Sequence, residues 1–162
     1  MPVTPTGPLS TIFDHLRDTF AKSSTWQQIV DAQNPNEASA KARVLLASSG
    51  SDFPRILLGF GRSYRWTRDG NSFQSNGGLA ALLEFLPDNQ AASDHEKILG
   101  FQNQAGQIIA DILSLVMART PGVLEITDIE FTANEDVLIS DTNIEYVAGE
   151  MEIYTTGLVL TP

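Results

Sequence analysis

The sequence contains no cysteine. That excludes a disulfide frame, a thiolate metal site and a thiol nucleophile, and it leaves the redox compartment unreadable. Histidine is nearly as scarce, with two in 162 residues. No apolar run approaches the roughly 20 residues a membrane-spanning helix needs. Residues 1–8 hold three prolines and no positive charge, the wrong composition for a secretion signal, so a soluble, cytosolic protein is expected. With a formal net charge of −10, the chain lacks the basic excess that a general nucleic-acid binder uses to neutralise phosphate. The most informative deficit is local. The last 43 residues have no Lys or Arg, against nine carboxylates.

What is present is the counterpart of that deficit. Six of the ten basic residues lie between Lys41 and Arg68, where Asp52 is the only acid. Segregated charge of this kind describes surfaces that meet other surfaces. A hydrophobic fraction of 42% with 19% charged residues is globular, and the length suits one domain. Residues 1–8 read as a flexible N-terminal arm and residues 9–162 as a single domain.

Local patterns give the elements. Leu9, Ile12, Phe13, Leu16 and Phe20 share one face of a helix over 9–21. Ser24 and Gln27 have capping-box spacing for a second helix, running to about residue 32 with Trp26, Ile29 and Val30 inward. Residues 33–36, Gln-Asn-Pro-Asn, form a loop, and 41–47 leans to strand. In 55–67, Ile56, Leu58, Phe60, Tyr64 and Trp66 alternate, with Arg62 as the exception. Asp69-Gly70 predicts a hairpin turn, and Asn76-Gly77-Gly78 a second turn before a strand over 79–86. Ser93 and Glu96 form a capping box for a long helix, with Asp94 at its positive end. Its stripe is Ile98, Phe101, Ala105, Ile108, Ile109, Ile112, Leu115 and Val116, and Arg119 and Pro121-Gly122 close it. Two strands follow, over 124–132 and 143–155. Each contains a slip in apolar phase that predicts a β-bulge. The fold class is α+β: a mostly antiparallel sheet with a long hairpin, packed against one long central helix and an N-terminal helix pair.

Reactive-site patterns are weak. Asp94-His95-Glu96 has metal-ligand composition, but consecutive helical residues point about 100° apart, and capping explains them better. Gly59-Phe60-Gly61 lacks the third glycine of a dinucleotide site. Asp141-Thr142-Asn143 is a fragment of a calcium loop without its full spacing. No catalytic residue, cofactor or metal ligand is assigned, and an enzyme is not expected.

The order of elements resembles the tail-terminator, or tail-completion, proteins that join head to tail in long-tailed bacteriophages. The resemblance rests on the Trp-bearing helical start over 9–32 and on Phe53-Pro54-Arg55-Ile56 leading into an aromatic hairpin. The return strand Gly78-Leu79-Ala80-Ala81-Leu82-Leu83-Glu84-Phe85 and the long helix with Phe101-Gln102-Asn103 near its start extend it. The last strand, Tyr146-Val147-Ala148-Gly149-Glu150-Met151-Glu152-Ile153-Tyr154, completes it. It implies a structural virion protein forming a ring, usually of six copies, that caps the tail tube and joins it to the neck. The implied partners are other copies of the chain, a tail tube protein and a neck or connector protein. DNA passes through the lumen without specific binding, and no membrane is involved. The implied location is the virion, after assembly in the host cytoplasm. A ring needs two unlike patches on each subunit. The expected interface pairs Arg55, Arg62, Arg65 and Arg68 with acids such as Glu125, Glu130, Glu145, Glu150 and Glu152 of a neighbour; the other reading is that both sets are solvated faces or pair within one subunit. The alternative is a small acidic inhibitor or immunity protein that binds a basic partner.

Overall fold

The computed structural model describes residues 8–31, 34, 36–46, 53–87, 93–117 and 125–160. Residues 1–7 of the expected arm over 1–8, residues 33 and 35 of the loop, Arg119 and the Pro121-Gly122 stop lie outside them, and Pro8 opens the first helix. The chain is α+β. Helices α1 (Pro8–Ala21), α2 (Ser24–Val30) and α3 (Glu37–Ala42) lead into strands β1 (Val44–Leu46), β2 (Arg55–Asp69) and β3 (Ser72–Phe85). The long helix α4 (Asp94–Met117) then precedes β4 (Glu125–Ala133), β5 (Leu138–Ile139) and β6 (Glu145–Leu160). The sheet has the order β1-β2-β3-β6-β4, with β5 paired to the start of β6. Among the described strand pairs only β1–β2 is parallel. Among the described residues no helix is long and apolar enough to cross a membrane.

The helices cover one face of the sheet because each carries a single apolar stripe. Ile12, Leu16 and Phe20 of α1 are buried, as are Phe101, Ala105, Ile108 and Ile112 of α4. They meet Ile56 and Leu58 of β2, Leu79, Ala81, Leu83 and Phe85 of β3, and Val147, Met151 and Ile153 of β6. A file of rings crosses this core: Trp26 against Phe85 at 6.3 Å, Phe85 against Phe101 at 4.5 Å, and Phe101 against Phe131 at 6.4 Å. Each buried side chain of this size removes enough apolar surface to stabilise by roughly 1.5–3 kcal/mol.

Several local expectations shift. The cap of α2 is Ser23, not Ser24: Ser23 Oγ accepts the Trp26 N–H, while the Gln27 amide donates to the Ala21 carbonyl. Of the segment expected as strand over 41–47, residues 41–42 end α3 and 44–46 form β1, and α3 itself is capped by Asn36 from the expected loop. The capping box of α4 is present, with Glu96 Oε2 accepting the Ser93 N–H at 3.0 Å. Asn76-Gly77-Gly78 is not a turn; β3 runs straight through it. Gly77 lies there because a Cβ would sit 2.7 Å from the Tyr64 ring. The hairpin turn is Gly70-Asn71, with Gly70 at φ +59° in the first central position, and Asp69 pairs across it with Ser72. The predicted bulge in the 124–132 strand is found between Ile126 and Asp128. The one predicted near Gly149 is not: Val147 to Thr156 of β6 pair without a slip, and Tyr146 faces away from Val147 to stack on Phe53 at 4.4 Å.

Candidate assembly surface

An antiparallel sheet covered on one side alternates apolar-inward and polar-outward. Here the outward set is acidic. Opposite the helices, among the described residues, the sheet face is bare and carries Asp128, Glu130 and Thr132 of β4 and Glu150 and Glu152 of β6, with Leu82 of β3. Cross-strand register puts Glu152 between Ala80 and Glu130, and Glu150 between Leu82 and Thr132. Glu130 and Glu152 thus stand directly opposite each other, an arrangement unfavourable for like charges. A shallow groove of about 300 Å³ opens here, lined by Leu82, Glu130, Thr132, Gly149, Glu150 and Glu152 among others.

The arginines lie towards the other margin. Two register shifts in β2 bracket Arg62; both add a residue to β2, so after the second the inward–outward alternation is back in its original phase. Tyr64 and Trp66 therefore return to the face of Ile56, Leu58 and Phe60, and Arg62 drops out of the alternating series. Phe60 meets Phe13 edge-on at 5.0 Å, and Tyr64 lies 5.8 Å from Trp66. The Tyr64 hydroxyl shares a hydrogen bond with Thr155 Oγ1, and burial pushes its pKa up, against the opposing effect of that bond. These aromatics stiffen the hairpin beyond the helical layer, where Arg65 and Arg68 are exposed.

The expected interface residues divide accordingly. Arg65, Arg68, Glu130 and Glu150 are exposed, and Glu152 is half-buried. For Arg62 and Glu125 only the strand position is described. Arg55, half-buried, and Glu145, exposed, stand apart because both close ion pairs within the chain. Arg55 binds Glu84, which is 7% exposed, and its guanidinium lies over the Phe53 ring at 4.5 Å. Glu145 accepts from Lys97 Nζ at 2.8 Å, and that bond raises the Lys97 pKa against the effect of burial. Sequence reasoning left Lys97 out, although it is in helical phase with Phe101 and Ala105. It also left Asp128 out of the acidic set. The bulge after Ile126 takes Asp128 and Glu130 off the inward face of Ile126 and puts them on the outward one, and the phase slip in the sequence was the signal for it.

Among the described residues no group of three His, Cys, Asp or Glu side chains is placed to hold a metal ion. Ser140 and Asn143, in the loop carrying the calcium-like fragment, bond within the turn itself. A scan against models of protein families matches none of them to the chain, and a search of curated proteins finds no relative.

Proposed function

We propose that the protein is a structural assembly subunit, closing into a ring that caps a phage tail tube and joins it to the neck. The observation that carries this reading is the separation of charge across one sheet. Exposed arginines sit on a hairpin at one margin, and exposed carboxylates sit on the bare face and strand at the other. Two unlike, complementary patches on one chain are what a heterologous, ring-closing contact requires. The order of elements supplies the link to tail terminators. In such a ring the helix layer takes the outer, longer circumference. The bare acidic face then lines the lumen, where a polyanion is repelled by the wall and slides.

Native mass spectrometry of the protein, alone and mixed with tail tubes, tests the reading, with negative-stain imaging of the tube ends. Closed oligomers, or rings seated on tube ends, are expected. A chain that stays monomeric under both conditions and binds a cationic protein instead would replace the ring by the acidic-inhibitor reading.

A further inference from the structure

Among the described residues both margins of the sheet are open strand edges, and they are complementary. β1 covers β2 only from Ile56 to Leu58. Beyond that, over 59–69, no described strand pairs with the outer side of β2, and none pairs with the outer side of β4. The free length of β2 carries Arg62, Arg65 and Arg68, and the nine residues of β4 carry Glu125, Asp128 and Glu130. Direction agrees as well as charge. β2, β3, β6 and β4 are successively antiparallel, so β4 runs opposite to β2. Rotation about an axis along the strands preserves direction, so a neighbour's β4 arrives antiparallel to β2.

We infer that copies of this chain join edge to edge, β4 of one alongside the distal half of β2 of the next, so that one sheet continues around the assembly. The inference rests on the ring reading and names the seam within it. Backbone N–H and C=O groups left open on both edges pair across that seam, as in other strand additions. Asp128 and Glu130 lie on the same sheet face as Arg65, and cross-strand ion pairs form along it. The shape of the edges makes the pairing selective. β2 is bulged on both sides of Arg62, and β4 is bulged between Ile126 and Asp128. From Arg62 to Arg65 and from Glu125 to Asp128 each edge advances three residues, while the middle strands advance two, Asn76 to Gly78 and Tyr154 to Thr156. Both edges therefore bend at the same height. A flat stray strand does not fit such an edge, but a copy with the matching bend does.

The absence of cysteine makes the seam directly testable. Asp128→Cys is combined in turn with Arg62→Cys, Arg65→Cys and Thr67→Cys, which samples successive same-face registers. Within one chain these positions are separated by β3 and β6, about 14 Å across three strand spacings, too far for a disulfide. Each double variant is oxidised mildly, with and without tail tubes, and run on a non-reducing gel beside native mass spectrometry. One register is expected to give a covalent ladder that stops at the ring size, while single-cysteine variants give dimer at most. Rings in the mass spectrum with no ladder from any pair would overturn the seam and leave the ring intact. No assembly by either readout would remove both. A charge exchange gives a second reading: Arg65→Glu is expected to lower the assembled fraction at least tenfold, and adding Glu125→Arg to the same chain to restore it. Failure of that rescue alongside an absent ladder counts against the seam.

Discussion

Asp111 joins two helices that are distant in sequence. It projects from α4 to the start of α2, where its carboxylate accepts from Ser23 Oγ at 2.8 Å and from the Thr25 N–H at 3.1 Å. Gln107 Nε2 donates to its other oxygen at 3.2 Å. Ser23 is thereby held in place to cap Trp26, whose indole N–H reaches the Ala40 carbonyl at 3.1 Å. Burial pushes the Asp111 pKa up, and the hydrogen bonds from Thr25, Ser23 and Gln107 outweigh it, leaving the carboxyl below its ordinary value. A carboxyl depressed in the folded state stabilises fully above its unfolded pKa, near about 3.9, and less as pH falls through the folded value. Asp111→Asn should therefore cost about 1–2 kcal/mol at neutral pH, from weakened charge-assisted bonds and a loosened cap. Urea melts of the variant and the parent should converge as the pH drops below about 4. A gap unchanged by acid would show that packing, not the charge, is what Asp111 contributes.

The β2–β3 hairpin shows how far local sequence reaches at the scale of an element. Its alternation over 55–67 and its Gly70 turn are legible because both obey short-range rules. So is α4, whose capping box and stripe lie within its own residues. The continuity of β3 is not legible, because Gly77 answers to a ring thirteen positions earlier in the chain. A Cβ at Gly77 would lie 2.7 Å from three atoms of Tyr64. Gly77→Ala should push that ring off its Thr155 hydrogen bond and cost about 1–3 kcal/mol, as overpacking does. In a Tyr64→Ala background the same change should cost little. Thermal melts of the four proteins in this cycle decide it; equal penalties in both backgrounds would mean the strand itself, not Tyr64, requires glycine. The candidate surface divides in the same way. Separation of basic and acidic segments is plain from counting residues. That Arg55 is bound by Glu84, directly opposite it in β3, depends on strand register. The pairing of Lys97 with Glu145, 48 residues away, depends on how α4 lies across the sheet.

At the scale of the whole molecule, fold and assembly draw on different residues, so they can be varied separately. The core is built on the helix-covered face of the sheet, whereas Arg65 and Arg68 stand on the exposed hairpin. Among the described contacts of these two side chains is a bond from Arg68 Nε to the Gly70 carbonyl within the same turn. Reversing both charges, Arg65→Glu with Arg68→Glu, should leave folding stability within about 0.5 kcal/mol, as for exposed positions elsewhere. Assembly should respond strongly, because each seam then sets the Arg65→Glu carboxylate on the face of Asp128 and Glu130, and Arg68→Glu removes a second cation from the edge. Attraction between exposed charges is screened beyond about 8 Å at physiological salt, so the parent assembly should also weaken as salt rises. The reversed variant should show the opposite trend, with salt relieving its repulsion. Light scattering across a salt series, with circular dichroism to confirm the fold, measures both. Identical salt curves for parent and variant would place the contact between copies on some other surface, one candidate being the side of α4 that exposes Leu99 and Leu113.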